Sequence, residues 1–179
     1  RHLEQAVSLE PSEGIAHLLL ADTYMAVNRV DDAIGEYEKV ASLIPKSPTI
    51  LARLGDAYRI RGDDQRAREL YEKAASLQAD TQTGPYFTIL GQYFSNAKWY
   101  EDAFKAYQQA RELSPASIEP LVSIGNDYLT QGEFTKAEEV FYDVRVFDNW
   151  NSLSSIGLGQ VYSKIGDSDK AIQQFQEGI

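Results

Sequence analysis

One short pattern recurs along the whole chain and limits what the chain can fold into. A bulky aliphatic residue is followed by Gly or Ala and then, after two variable positions, by an aromatic residue. The pattern starts at Leu20, Leu54, Leu90, Ile124 and Leu158, so the steps between copies are 34, 36, 34 and 34 residues. Self-similarity at this period indicates a stack of small supersecondary units, because one globular core would not need it.

Two further series of residues keep the same steps as the first. The first of these is a small residue at Ala33, Ala67, Ala103, Ala137 and Ala171. The second is an aromatic residue at Tyr37, Tyr71, Tyr107, Phe141 and Phe175. Because three independent series share one set of steps, the repeat is a property of the chain and not a chance match of one motif.

Each repeated unit has the pattern of two short helices joined by a turn. Apolar residues recur at a spacing of three to four in each half, which is the periodicity of an amphipathic helix. Gly62, Gly132 and Gly166 supply permissive backbone between the halves. Asp63 and Asp167 directly follow two of these glycines and are expected to cap the second helices.

Four glycines lie inside the first helices, in one phase of the repeat: Gly55, Gly91, Gly125 and Gly159. Each costs about 1 kcal/mol relative to Ala in a helix interior. Such a cost is expected only where a side chain has no room. We expect the paired helix to approach closely there, with the series from Ala33 to Ala171 supplying the matching small residue.

The three series together resemble the tetratricopeptide repeat family, whose motif runs W-x2-L-G-x2-Y, then A-x3-F, then P. The resemblance covers nearly all of the chain and implies an all-α fold, a right-handed superhelical solenoid of stacked antiparallel helix hairpins. We place repeats at 14–47, 48–81, 84–117, 118–151 and 152–179, the last of them truncated, within a single solenoid domain. Residues 1–13 resemble the second helix of a preceding repeat. We therefore expect a fragment of a longer array with uncapped ends.

Composition excludes several classes of function. The chain has 17 Lys and Arg against 27 Asp and Glu, no Cys and two His. A net charge of −10 disfavours nucleic acid, because neutralising phosphates needs an excess of basic residues. Without Cys there is no disulfide or cysteine-ligated metal. We expect no enzyme, no cofactor and no metal, and His17, at the family's Trp position, is expected to pack in the core.

No run of 18 apolar residues is present, so no membrane insertion is expected. The sequence favours a soluble chain with the cytoplasm as its compartment, although nothing in it fixes the compartment.

The resemblance also indicates where a partner would bind. First helices of tetratricopeptide arrays line a concave groove, and carrying the family's positions over gives one polar residue per repeat. This row consists of Asp22, Asp56, Gln92, Asn126 and Gln160. Its neighbours are Arg53, Arg59, Asn96, Ser123 and Lys164. A polar row is either solvated surface or a ladder that hydrogen-bonds an extended partner backbone, because carboxamides both donate and accept.

Three functions fit these residues. The first is a non-enzymatic scaffold whose groove holds a peptide or helix of a partner protein. The second is a substrate-recruiting domain of a larger enzyme such as a transferase, and the third is self-assembly through uncapped ends. One subset of the family grips a C-terminal carboxylate with Lys, Asn and Arg. Here Leu18 and Asp22 stand at the first two of those positions, which argues against that mode.

The two tryptophans leave an alternative open. Trp99, in the turn of the third repeat, and Trp150, between the fourth and fifth, are each either a local hydrophobic plug or an exposed anchor for a partner.

Overall fold

A computed structural model of the chain describes residues 14–80, 83–147 and 152–179, and these ranges contain ten α-helices and no strand. The prediction of an all-α fold is therefore confirmed. The chain divides into two compact units, Arg1–Thr81 and Gln82–Ile179. Trp150 lies outside the described residues, as do residues 1–13.

The first unit contains two helix hairpins among its described residues. Helix α1 (Gly14–Ala26) pairs with α2 (Val30–Leu43), and α3 (Pro48–Arg61) pairs with α4 (Asp64–Ser76). The second helix of one hairpin, α2, also packs on the first helix of the next, α3. Helices of 13 or 14 residues are marginal alone in water, so this packing supplies most of their stability.

The second unit repeats this arrangement three times. Its hairpins are α5 (Gly84–Asn96) with α6 (Tyr100–Leu113), α7 (Glu119–Gln131) with α8 (Phe134–Phe147), and α9 (Ser152–Ile165) with α10 (Ser168–Glu177). Helix α6 packs on α7, and α8 packs on α9. The three first helices also touch in order, α5 with α7 and α7 with α9, so they form one layer of the unit.

A left-handed residue lies in the turn after the first helix of each of the five described hairpins. The φ angles are 59° at Asn28, 92° at Gly62, 63° at Lys98, 78° at Gly132 and 87° at Gly166. Glycine takes this conformation without steric cost, which confirms the prediction for the three glycine turns. In the third hairpin Lys98 takes it although a Cβ makes the conformation unfavourable.

The second helices after two of the glycine turns begin with a capping aspartate. Asp63 accepts a hydrogen bond from the backbone N–H of Arg66 at 3.3 Å, and Asp167 accepts one from Lys170 at 3.2 Å. Each carboxylate satisfies a backbone donor that the helix cannot pair internally and interacts favourably with the helix dipole. The predicted N-caps are thus confirmed.

The glycines inside the first helices face aromatic rings. A Cβ at Gly55 would lie 2.7 Å from the ring of Tyr71, and a Cβ at Gly125 would lie 2.7 Å from the ring of Phe141. The expectation that the alanine series faces these glycines is therefore wrong. The ring of the paired second helix needs the space, because a closely packed aromatic side chain leaves no room for a methyl group.

In four hairpins a basic side chain lies over the ring of the aromatic residue that ends the repeated pattern. The pairs are Arg29 over Tyr24 at 4.4 Å, Arg61 over Tyr58 at 4.7 Å, Lys136 over Tyr128 at 5.6 Å and Lys170 over Tyr162 at 5.1 Å. In the third hairpin the aromatic residue is Phe94, and the ring of Trp99 lies 5.9 Å from it. This contact gives the half-buried Trp99 a packing role within its own hairpin.

Candidate functional site

A groove of about 500 Å³ runs along the layer of first helices in the second unit. It is lined from α5 by Pro85, Thr88, Ile89 and Gln92, from α7 by Glu119, Val122, Ser123 and Asn126, and from α9 by Leu153. Residues three and four apart share one face of a helix, so α5 and α7 each present one such face to the groove. The helix pairing thus creates a cleft that no single hairpin contains.

Three of the predicted site residues meet in this groove: Gln92, Ser123 and Asn126. The side chains of Gln92 and Asn126 are exposed, and neither makes a hydrogen bond to another residue in the described ranges. Each carboxamide therefore has a free donor and a free acceptor at the groove wall. Ser123 is half-buried, and its hydroxyl interacts with the buried Tyr107.

The rest of the groove is mostly apolar, and Glu119 is the one charged residue among those that line it. Sequence reasoning did not name Ile89, Val122 and Leu153. The signal was present, because Ile89 precedes Gln92 by three positions and Val122 precedes Asn126 by four, which places each pair on one helix face. Leu153 is 45% exposed, although it is a large apolar side chain.

The other predicted residues of the second unit do not line the groove. Asn96 ends α5, and Gln160 and Lys164 lie in the second half of α9. All three side chains are exposed.

In the first unit, Asp22 and Arg53 are held by an internal network. The guanidinium of Arg53 donates to both carboxylate oxygens of Asp22, at 2.5 and 2.6 Å, and the Tyr37 hydroxyl donates to Asp22 at 2.5 Å. Burial, with the Asp22 carboxylate close by, raises the pKa of Tyr37 to about 12. The hydrogen bond that Arg53 donates to Asp22 raises the pKa of Arg53. These two predicted groove residues therefore connect α1 with α2 and α3.

Asp56 is likewise held by contacts within its own hairpin. It accepts a hydrogen bond from the Tyr71 hydroxyl at 2.7 Å, and the guanidinium of Arg59 lies 3.9 Å away. Tyr71 is 1% exposed, and burial, reinforced by the hydrogen bond to Asp56, raises its pKa well above the usual range. Arg59 is half-buried, and its Nε has no hydrogen-bond partner within the described ranges.

In four of the five hairpins the residue of the polar row depends on the second-helix aromatic residue. The exception is the third hairpin, where Gln92 accompanies Tyr107. Where that residue is Tyr37 or Tyr71, the row holds an aspartate that accepts its hydroxyl. Where it is Phe141 or Phe175, which have no hydroxyl, the row holds Asn126 or Gln160. The aspartates of the row stabilise their hairpins, whereas the carboxamides are available to another molecule.

This division predicts the effect of removing one row carboxylate. We expect Asp56→Ala to lower the free energy of unfolding by about 1 kcal/mol, because the buried Tyr71 hydroxyl loses its carboxylate acceptor. Urea unfolding measures the change. The same substitution in a Tyr71→Phe background should cost much less, and an equal loss in both backgrounds would contradict the hydrogen-bond explanation.

The prediction that His17 packs in the core is confirmed. This residue is 2% exposed, and its Nδ1 lies 2.6 Å from the carboxylate of Glu36 on the paired helix.

Within the described ranges no three His, Cys, Asp or Glu side chains converge on a point that could hold a metal ion. Among the described helices none is long and apolar enough to cross a bilayer.

The repeated hairpins and the layer of first helices define a class of helical repeat protein with a groove on one side of that layer. Family models described as tetratricopeptide repeat match residues 1–48, 18–82 and 154–179. The chain belongs to the tetratricopeptide repeat family.

Curated relatives extend well beyond the length of this chain. The cytochrome c-type biogenesis protein CycH of Rhizobium meliloti is 25% identical over 131 residues, which are 72% of this chain and 34% of that protein. The BBSome complex member BBS4 of Bos taurus is 27% identical over 144 residues, 80% of this chain and 27% of that protein. The chain thus spans about a third or less of each.

Solved structures share the fold. YrrB, described as a tetratricopeptide repeat protein with an unusual peptide-binding site, aligns over 100% of this chain and 91% of its own, with a TM-score of 0.50 and 22% identity. The MamA protein aligns over 89% and 92%, with a TM-score of 0.52 and 25% identity.

Proposed function

We propose that the chain is a non-enzymatic protein-binding module, and that the groove over α5, α7 and α9 holds an extended segment of a partner protein. The proposal rests on one observation: Gln92, Ser123 and Asn126 line the same cleft. A volume of about 500 Å³ lies within the roughly 300–1,000 Å³ typical of small-molecule sites, so the groove has room for part of an extended segment.

The proposed mode of binding follows from the chemistry of the lining. The carboxamides of Gln92 and Asn126 can hydrogen-bond the N–H and C=O groups of an extended backbone. Ile89, Val122 and Leu153 can bury apolar side chains of the same segment, and each buried side chain contributes about 1.5–3 kcal/mol. The groove is built on helices that need no rearrangement, which keeps the entropic cost of binding low.

Displayed random peptides supply a ligand for the test. We expect selection on the chain to yield peptides whose affinity falls about tenfold to hundredfold in the double variant Gln92→Ala with Asn126→Ala, because two hydrogen bonds are lost. Isothermal titration calorimetry measures the affinity.

The matched control removes two exposed carboxamides from second helices of the same unit. Gln109→Ala with Gln176→Ala should leave the affinity unchanged, since both side chains lie away from the groove. Equal losses in the two double variants would contradict the assignment of the groove.

One relative favours a second candidate function. The protein O-mannosyl-transferase TMTC1 of Homo sapiens is 25% identical over 130 residues, which are 72% of this chain and 14% of that protein. We propose as the alternative that the groove recruits a substrate to an enzyme of which this chain is one segment. The sequence that flanks this chain in its gene decides between the two, because a transferase domain beside it would support the alternative.

A further inference from the structure

A second cavity in the unit Gln82–Ile179 lies between α6 and α7 and has a volume of about 230 Å³. Its walls are largely aromatic, from Tyr100, Phe104, Tyr107 and Tyr128. Two carboxylates line it as well, Asp127 and Glu101. Phe104 is 38% exposed, so part of this aromatic surface faces solvent.

The cavity and the groove use different faces of α7. Ile124, Asp127 and Tyr128 follow a spacing of three and then one, so they share the face that meets α6. Val122 and Asn126 line the groove from another face of the helix, and Ser123, four positions before Asp127, lies at the border between the two faces. A ligand in the cavity therefore does not compete for space with a segment in the groove.

Asp127 has no counterpart in the other repeats. The same phase of the repeat holds Thr23, Ala57, Tyr93 and Val161. Ala57 and Val161 are buried at 0% and 1% exposure, so the fold does not require an acid here. The half-buried Asp127 accepts a hydrogen bond from Ser95 at 2.5 Å, and burial raises its pKa.

No Lys or Arg within the described ranges pairs with Asp127. Lys136, whose ammonium lies 5.6 Å from the ring of Tyr128, pairs with Glu133 at 3.3 Å. A half-buried carboxylate that lacks a cationic partner lowers the stability of the fold. In the described part of the chain, the negative charge of Asp127 in the cavity is therefore not balanced by a basic side chain.

We propose that this cavity receives the basic side chain of a lysine or arginine residue from a partner protein. The carboxylates of Asp127 and Glu101 supply opposite charge, and the tyrosine and phenylalanine rings attract a cation through their π faces. About 230 Å³ is below the roughly 300 Å³ at which small-molecule sites begin, so the cavity suits one side chain.

An NMR titration with single amino acids tests the proposal without any peptide. We expect N-acetyl-lysine amide or N-acetyl-arginine amide to shift the resonances of Ile124 and Tyr128 in a saturable way. N-acetyl-norleucine amide, which has the same chain without the charge, should not do so. Equal shifts from norleucine, or no saturable shift from either basic probe, would overturn the proposal.

Charge variants locate the interaction. Asp127→Asn should weaken binding of the basic probe at least tenfold, whereas Asp143→Asn, which removes an exposed carboxylate from α8, should leave it unchanged. The double variant Gln92→Ala with Asn126→Ala should also leave it unchanged, so failure of this proposal and failure of the groove are distinguishable. Loss of binding in Asp143→Asn to the same extent would overturn the site.

A stability measurement separates a binding role from a structural one. In a Ser95→Ala background, which already lacks the hydrogen bond to Asp127, Asp127→Ala should raise the urea midpoint of the free chain, because the substitution restores the small residue found at Ala57. A midpoint that falls in this background would show that the carboxylate stabilises the free chain, and that result would overturn the proposal.

Discussion

Gly157→Ala is expected to lower the free energy of unfolding by about 1–3 kcal/mol, although alanine favours a helix. A Cβ at Gly157 would lie 2.3 Å from the ring of Phe141, which also faces Gly125 of its own hairpin. Phe141 is 0% exposed, so its ring is enclosed and cannot move without disturbing other buried atoms. The overpacking outweighs the gain of about 1 kcal/mol in helix propensity.

Gly35→Ala is the matched control, and urea unfolding measures both variants. Gly35 also lies inside a helix, α2, but apart from its own helix backbone no described atom lies within 4 Å of its Cβ position. This substitution should therefore raise the free energy of unfolding by about 0.5–1 kcal/mol. Phe141→Leu combined with Gly157→Ala should cost less than the sum of the two single changes. A rise in the free energy of unfolding on Gly157→Ala would contradict the close packing of Phe141 against Gly157.

Arg145→Leu is expected to lower the free energy of unfolding by about 1–3 kcal/mol. The guanidinium, in the last turn of α8, donates to Ser155 at 3.1 Å and to Gln174 at 2.5 Å. Both acceptors are 7% exposed, so water cannot readily replace the lost donors. The substitution therefore leaves two buried oxygen atoms without this partner and loosens the contacts of α8 with α9 and α10.

Arg111→Leu provides the control at the same phase of the preceding repeat. Arg111 also lies in the last turn of a second helix, so both substitutions lose the same interaction with the helix dipole. Its side chain is exposed, and we expect a change within about 0.5 kcal/mol in urea unfolding. Equal losses in the two variants would show that the dipole, and not the buried hydrogen bonds, accounts for the effect.

Local features of the fold were predictable because they repeat in phase. The glycine turns and the caps at Asp63 and Asp167 follow from residue chemistry within a few positions. The meeting of Gln92 with Asn126 in one groove was foreseen through their shared phase, since hairpins that stack in order bring equivalent residues together.

Contacts between distant residues were not predictable in this way. The bidentate pair of Arg53 with Asp22 joins residues 31 positions apart, and periodicity does not say which side chain reaches which. Likewise, the repeat showed that Gly55 needs space but not that the Tyr71 ring occupies it. Asp127 could have been found as the only acid in its phase of the repeat, although its aromatic surroundings depend on the packing of α6.

The central claim is that the layer of first helices in the second unit is the binding surface. Backbone amide hydrogen exchange of the chain, with and without a selected peptide, tests this most directly. We expect added protection to concentrate on α5, α7 and α9, around Gln92, Ser123 and Asn126. Protection confined to α6, α8 and α10 would contradict the claim.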